Sequence, residues 1–172
     1  MACPDLKART SVLNGVSKAY AMTGWRIGYA AGPSDLINAM KKIQSQSTSN
    51  PTSISQVAAQ AALEGDQSCI PTMNKAFKER HDYVVETLNS IKGVQCLASD
   101  GAFYAFPHMD EAIAGLKGIN NDIDFGEYLI NEAGVALVPG SAFGAPGYMR
   151  LSFATSMENL QKGLQRIGDL LK

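Results

Sequence analysis

The chain has 172 residues, and 45% of them are hydrophobic, which is enough to fill the core of one domain or of parts of two. Its 15 basic and 16 acidic side chains leave a net charge of −1, so no basic patch indicates a nucleic-acid partner. The sequence has no apolar run near the roughly 18 residues of a membrane span and no secretory signal at its start, so we expect a cytoplasmic protein without a membrane partner.

The first elements are predicted to be two short strands and a helix. Residues 11–13 and 26–31 are predicted strands on either side of a turn that contains Lys18. Pro33 is predicted to lie in the first turn of the helix. Apolar residues repeat there at helical spacing: Leu36, Met40 and Ile43.

Two further helices follow in the prediction. One begins with a capping box at Ser53 and Gln56 and stops at Gly65. The other is long and covers about residues 67–91. Its apolar face consists of Ile70, Met73, Phe77, Val84, Leu88 and Ile91.

After Gly93 the pattern changes to short strands, which are predicted at residues 94–97, 103–106 and 135–138. Between the last two strands we expect a loop over residues 115–121 and then a helix that Asp124 and Glu127 could cap and Gly134 could end. A last helix is predicted to begin at a capping box of Thr155 and Glu158. Its apolar face would comprise Met157, Leu160, Leu164, Ile167 and Leu171.

The order of elements predicts an α/β fold, which we divide into residues 1–75 and residues 76–172. Cys3, Cys69 and Cys96 are odd in number and widely spaced, which favours free thiols over disulfides and gives no metal-binding pattern. His81 and His108 are interpreted as surface or structural histidines.

Arg150 lies in a predicted strand in which apolar and polar residues alternate. If Met149, Leu151 and Phe153 face the core, Arg150 projects from the opposite face. In an ordinary strand such an arginine would be a solvated charge at the edge.

The segment GVSKAYAMTGWRIGYAAGP, residues 15–33, places Arg26 eight residues after Lys18. Lys18 has small neighbours that would let a bulky group approach its amine, and Gly24 and Gly28 flank Arg26 where the backbone is expected to pass close. This arrangement suits a lysine that carries an aldehyde cofactor and an arginine that holds the phosphate of that cofactor. Either residue alone would more often be a solvated surface charge.

This segment resembles the lysine segment of the class I, fold type I aminotransferases that depend on pyridoxal phosphate (PLP), and the bacterial aspartate aminotransferases in particular. Segments 46–56, 100–107, 134–144 and 149–160 resemble the same family in the same order. The resemblance implies the carboxy-terminal half of such an enzyme. Residues 1–75 would be a remnant of the mixed sheet of the large PLP-binding domain, and residues 76–172 would be the small α/β domain.

The resemblance also implies residue roles. Lys18 would form the Schiff base with PLP and transfer protons in catalysis, and Arg26 would bind the PLP phosphate. Arg150 would bind the α-carboxylate of the substrate as a bidentate pair. Phe103 could line the substrate pocket or could simply pack in the core.

The implied reaction moves an amino group between an amino acid, aspartate first, and 2-oxoglutarate in a homodimeric enzyme. Prephenate, alanine and aromatic amino acids remain open as substrates of the parent enzyme, as does a lyase activity. The alternative is that this chain by itself is a non-catalytic folding or dimerisation module. We expect that the 172 residues alone do not transaminate aspartate and that the segment from Ala76 onward folds.

Overall fold

The structure, a computed structural model, describes residues 4–172. It is an α/β protein with two compact units, one ending at Met73 and the other running from Asn74 to Lys172. The α-helices are α1 (Ser34–Ser47), α2 (Ser53–Glu64), α3 (Cys69–Asn89), α4 (Asp110–Ala114), α5 (Asp122–Tyr128) and α6 (Met157–Leu170). The strands are β1 (Val12–Gly15), β2 (Gly28–Ala31), β3 (Tyr104–Ala105), β4 (Val138–Pro139) and β5 (Met149–Ser152).

The first unit contains the β1–β2 pair, which is antiparallel and runs in register from Val12 opposite Ala31 to Gly15 opposite Gly28. Both predicted strands are therefore confirmed, with shifted ends. The second strand begins at Gly28 because Arg26 adopts left-handed backbone angles, φ 50° and ψ 51°, which a strand cannot include.

The helix starts of this unit differ from the predictions by one residue. Pro33 precedes α1 and is not part of its first turn. The capping box at Ser53 is wrong, because Ser53 is already helical and no side chain caps the helix at Thr52. The amide of Gln56 instead donates a hydrogen bond to the carbonyl of Pro51 at 2.8 Å. The predicted end at Gly65 is confirmed.

The second unit contains a three-stranded antiparallel sheet in the order β3–β5–β4, so β5 is central. The strand predicted at residues 94–97 is wrong, since only Gln95 forms a β-bridge there. The physical reason is local, because the side-chain amide of Asn89 forms hydrogen bonds with both backbone groups of Cys96. Its Oδ1 accepts from the N–H of Cys96 at 2.8 Å, and its Nδ2 donates to the carbonyl of Cys96 at 2.9 Å. Those groups are then unavailable to a neighbouring strand.

The caps of the remaining helices also lie elsewhere than predicted. Asn121, and not Asp124 or Glu127, caps α5 by accepting hydrogen bonds from two backbone N–H groups at 2.9 Å. Ser156, one residue beyond the predicted Thr155, caps α6. The loop predicted at residues 115–121 is confirmed. Gly134, with φ 62°, ends the helical turn Leu129–Ala133 that follows α5, which confirms its predicted position.

The hydrophobic core lies in the second unit, where helices α3, α5 and α6 pack against the sheet. Its largest fully buried side chains include Phe125, Phe153, Leu88, Met109, Leu129 and Met149. From the predicted face of α6, Leu160, Leu164 and Ile167 are buried. In the described part of the first unit the buried apolar residues are Val16 and Ala59.

Candidate functional site

Lys18 lies in the connection between β1 and β2, in a turn that is fixed at both ends. The N–H of Tyr20 donates to the carbonyl of Val16 at 3.3 Å, and the N–H of Ala21 donates to the carbonyl of Lys18 at 3.2 Å. Val16 is only 1% exposed, and the hydroxyl of Tyr20 donates to the side chain of Gln67 at 2.8 Å. The turn is thus anchored by burial and hydrogen bonding, while the side chain of Lys18 is exposed.

Arg26 lies in the same connection, so the structure brings both predicted PLP-binding residues into one loop of the first unit. Its guanidinium donates one hydrogen bond to the carbonyl of Thr23 at 2.9 Å. The hydroxyl of the buried Ser55 donates to the carbonyl of Trp25 at 2.7 Å and ties the loop to α2. A left-handed arginine costs on the order of 1 kcal/mol and is held here by these bonds.

The two glycines that flank Arg26 differ in how closely other backbone atoms approach them. A Cβ at Gly28 would lie 3.1 Å from the carbonyl oxygen of Asn14, so the predicted close approach is confirmed there. At Gly24 a Cβ would meet nothing within 4 Å, so a close approach at that position is wrong. Arg26 itself has a positive φ of 50°, as does Ala21 earlier in the same connection with φ 54°.

Arg150 lies on the central strand β5 of the second unit. Met149, Leu151 and Phe153 are buried on one face, which confirms the predicted alternation. Arg150 is half-buried on the opposite face. Among residues 4–172 its guanidinium has no ion pair and no side-chain hydrogen bond, so its N–H donors are available to a ligand.

Two aromatic rings contact this guanidinium and were missed in the sequence analysis. The Cζ atom of Arg150 lies 4.6 Å from the ring centroid of Tyr104 and 4.6 Å from that of Phe143. Tyr104 is on β3, directly opposite Ser152, and therefore shares the face of Arg150. The alternation in residues 103–106 could have identified Tyr104, whereas Phe143 carries no comparable local signal.

A buried carboxylate fixes the turn that carries Phe143. This turn is a 3₁₀ helix, Gly140–Phe143. Asp122, which is 1% exposed, accepts hydrogen bonds from the N–H and from the hydroxyl of Ser141, both at 2.7 Å. Burial by itself would raise the pKa of Asp122, but the hydrogen bonds that its carboxylate accepts, first those from Ser141 and then those from the backbone of Asp122 and Gly147, hold the pKa below its ordinary value.

We expect Asp122→Asn to lower the free energy of unfolding by about 1–3 kcal/mol at neutral pH, because an amide cannot accept both bonds from Ser141. The native pKa is depressed, so the ionised Asp122 contributes stability above its ordinary pKa of 3.8 and loses it as the pH falls. Urea unfolding between pH 7 and pH 2 checks both effects. The exposed Asp100→Asn is the control, and equal losses in the two variants would contradict the assignment.

Phe103 is half-buried and packs against the core of the second unit. Its ring centroid lies 6.4 Å from that of Phe77 and 4.4 Å from that of Tyr104. Core packing is therefore confirmed, and a part in a substrate pocket stays a prediction.

The histidines make structural hydrogen bonds, as predicted. His81 contacts the carboxylate of Asp82 through Nδ1 at 3.0 Å and accepts the N–H of Ser99 at Nε2 at 3.1 Å. His108 contacts the carboxylate of Asp110 at 3.3 Å and packs on Tyr148.

The structure describes two of the three cysteines that were predicted to be free thiols. Cys69 and Cys96 are free, as predicted, and burial raises the pKa of Cys96. Cys3 lies outside the described residues. In residues 4–172 the structure contains no cluster of His, Cys, Asp and Glu suited to a metal ion and no helix long and apolar enough to cross a membrane.

Comparison with known proteins gives one consistent result. Residues 2–167 match the family model described as aminotransferase class I and II. The chain is 62% identical to the aspartate/prephenate aminotransferase of Nitrosomonas europaea, with 99% of this chain and 44% of the relative covered. The chain therefore spans less than half the length of this curated relative.

Solved structures agree with the match. The aspartate aminotransferase of Rhizobium meliloti superimposes with a TM-score of 0.92 at 48% identity, over 98% of this chain and 43% of that one. The aromatic aminotransferase of Pyrococcus horikoshii does so with a TM-score of 0.90 at 37% identity, over 99% and 45%. The α/β fold is thus that of part of a fold type I aminotransferase, and the chain belongs to the class I and II aminotransferase family.

Proposed function

We propose that the protein containing this chain is a PLP-dependent aminotransferase that moves an amino group between aspartate and 2-oxoglutarate. The observation that carries the proposal is the β1–β2 connection, which presents Lys18 and Arg26 in a chain of the aminotransferase family. The names of the relatives from Nitrosomonas europaea and Rhizobium meliloti support aspartate as the amino donor.

The residues in this connection fit PLP chemically. The aldehyde of PLP requires a primary amine, and the exposed Lys18 provides one. The phosphate of PLP suits a planar guanidinium with several donors, and Arg26 is exposed with one donor committed to Thr23. When bound, PLP acts as the electron sink that stabilises negative charge at the substrate Cα.

The residues of this chain would then have separate tasks. Lys18 would anchor the cofactor and, when the incoming amino acid displaces its amine, would carry the proton from the substrate Cα. Arg150 would bind the substrate α-carboxylate through two parallel hydrogen bonds and so orient the Cα–H bond. Lys18 would therefore take part in proton transfer, and Arg150 would orient the substrate.

The substrate can be tested by varying both the amino donor and the amino acceptor in the whole protein. We expect turnover of aspartate with 2-oxoglutarate, measured as oxaloacetate formation. Prephenate as acceptor tests the second substrate in the name of the Nitrosomonas europaea relative, and phenylpyruvate, an aromatic 2-oxo acid, tests the aromatic substrates in the name of the Pyrococcus horikoshii protein. If no oxaloacetate forms but another pair of amino acid and 2-oxo acid is turned over, aspartate is not the donor and the proposed aminotransferase activity stands.

The partners proposed are amino acids, 2-oxo acids and a second copy of the protein in a cytoplasmic homodimer. The surface of the first unit fits burial against further protein, either the remainder of the longer protein or a second copy, because many of its large apolar side chains are exposed. They are Leu6, Val12, Leu13, Trp25, Tyr29, Leu36, Met40, Ile43, Ile54, Val57 and Leu63.

The same surface favours a second candidate function for the chain by itself, namely a non-catalytic folding or dimerisation module. The core of the second unit, in contrast, is contained within residues 74–172. Adding PLP to the purified chain separates the two possibilities. An absorption band of lysine-bound cofactor would indicate a competent site, and its absence would favour the module.

We expect Arg26→Ala to weaken PLP binding by about tenfold or more, since charge-assisted hydrogen bonds contribute about 1.5–3 kcal/mol. Alanine keeps the same left-handed backbone, and the variant removes the guanidinium together with its hydrogen bond to Thr23. PLP dissociation constants from absorbance titration provide the measurement. The exposed Arg9→Ala is the control, and unchanged PLP affinity in Arg26→Ala would remove Arg26 from the site.

A further inference from the structure

We propose that Tyr104 and Phe143 are positioning residues that hold the guanidinium of Arg150 in place for a substrate carboxylate. This inference rests on the proposed function of Arg150. Neither aromatic residue needs to touch the substrate, because each acts through its contact with Arg150.

The geometry places the rings in two different elements. Tyr104 belongs to β3 and Phe143 ends the turn after β4, and these two strands flank β5 on opposite sides. The guanidinium carbon lies over each ring at 4.6 Å from its centroid, within the range of a cation–π contact. The guanidinium of Arg150 therefore contacts one ring from each side of β5.

This arrangement suits a carboxylate ligand. A cation–π contact is an electrostatic attraction to the ring and needs no acceptor atom for the N–H donors of the guanidinium. Rings can thus restrain Arg150 without consuming the donors that a bidentate carboxylate needs. In the described part of the chain Arg150 has no acidic partner that would compete.

The ring of Phe143 is itself supported although it is 48% exposed. Its centroid lies 6.1 Å from that of Phe106 in an edge-on contact, and Phe106 stacks on Tyr148 at 5.0 Å. The backbone of the turn is fixed by the buried Asp122 through Ser141. A restrained ring can restrain the arginine beside it, which is what pre-organised binding requires.

The test measures carboxylate binding in the whole protein with bound PLP, and maleate serves as the probe. We expect Phe143→Leu and Tyr104→Leu each to raise the Kd of maleate and the KM of aspartate by about fivefold to tenfold. The affinity for PLP should stay unchanged. Phe143→Tyr and Tyr104→Phe keep a ring and should stay within about twofold of the parent protein.

A double-mutant cycle separates positioning from simple packing. In an Arg150→Leu background, removing either ring should change maleate binding by less than about twofold, because the residue that it positions is gone. Full additivity of the two effects would overturn the inference, and so would unchanged maleate binding in both ring variants.

Failure of the proposed function gives a different result. If Arg150→Leu alone leaves the Kd of maleate unchanged, Arg150 does not bind the substrate carboxylate. The inference about Tyr104 and Phe143 is then wrong as well. If Arg150→Leu weakens binding and the ring variants do not, only the inference falls. Thermal unfolding of each variant checks folding, and if one leucine variant fails to fold, the other carries the cycle.

Discussion

Lys18→Ala is expected to lower the transaminase turnover of the whole protein by on the order of 10⁴-fold, because in the proposed function one amine both anchors PLP and carries the proton at the substrate Cα. The turn around Lys18 is held by backbone bonds and by the buried Val16, so the substitution should leave the fold intact. Steady-state turnover with aspartate and 2-oxoglutarate is the measurement.

Two controls make this prediction sharp. Lys18→Arg keeps the positive charge but provides no deprotonated amine at neutral pH, so it should be as inactive as Lys18→Ala. Lys41→Ala removes an exposed lysine of α1 in the same unit and should keep the parent turnover. Appreciable activity in Lys18→Arg would show that the charge, and not the amine, matters.

Arg150→Leu is expected to lower kcat/KM for aspartate by about 10²- to 10³-fold, which corresponds to about 3–4 kcal/mol for a bidentate charged pair. The loss should appear mainly in KM if the carboxylate is bound equally in the ground state and the transition state. Leucine preserves apolar contact with Tyr104 and Phe143, so the packing around the site changes little.

Arg80 provides the matched control, because its guanidinium also lies over a ring, 5.3 Å from the centroid of Phe77. Arg80→Leu should leave kcat/KM for aspartate unchanged. Arg150→Lys keeps the charge and loses the planar fork, so we expect only partial recovery. A parent-like kcat/KM for aspartate in Arg150→Leu would contradict the assignment.

The fold could be predicted where periodicity is strong and long. The long helix α3 and the last helix α6 follow from their apolar spacing, and their predicted bounds are correct to within about two residues. The strand at residues 94–97 could not be excluded from the sequence, because the competing partner is the side chain of Asn89. The predicted caps of α2 and α6 are wrong by one residue and that of α5 by at least three, because several polar residues lie side by side at each helix start.

The candidate site was only partly accessible to sequence reasoning. Strand alternation predicts that Arg150 lies on the face opposite the core, and the loop with Lys18 and Arg26 follows from local pattern and resemblance. The contact of Arg150 with Phe143 depends on the order β3–β5–β4, which brings residues from distant segments together. The left-handed backbone of Arg26 was also not predictable, because glycine, and not arginine, is the usual residue there.

The central claim is that Lys18 carries PLP, and borohydride trapping tests it most directly. Reduction of the PLP-loaded whole protein fixes the cofactor on the amine that holds it, and peptide mapping by mass spectrometry identifies that lysine. We predict a single pyridoxyl label, on Lys18, that is absent from Lys18→Ala. A label on any other lysine, or a label that survives in Lys18→Ala, would contradict the account.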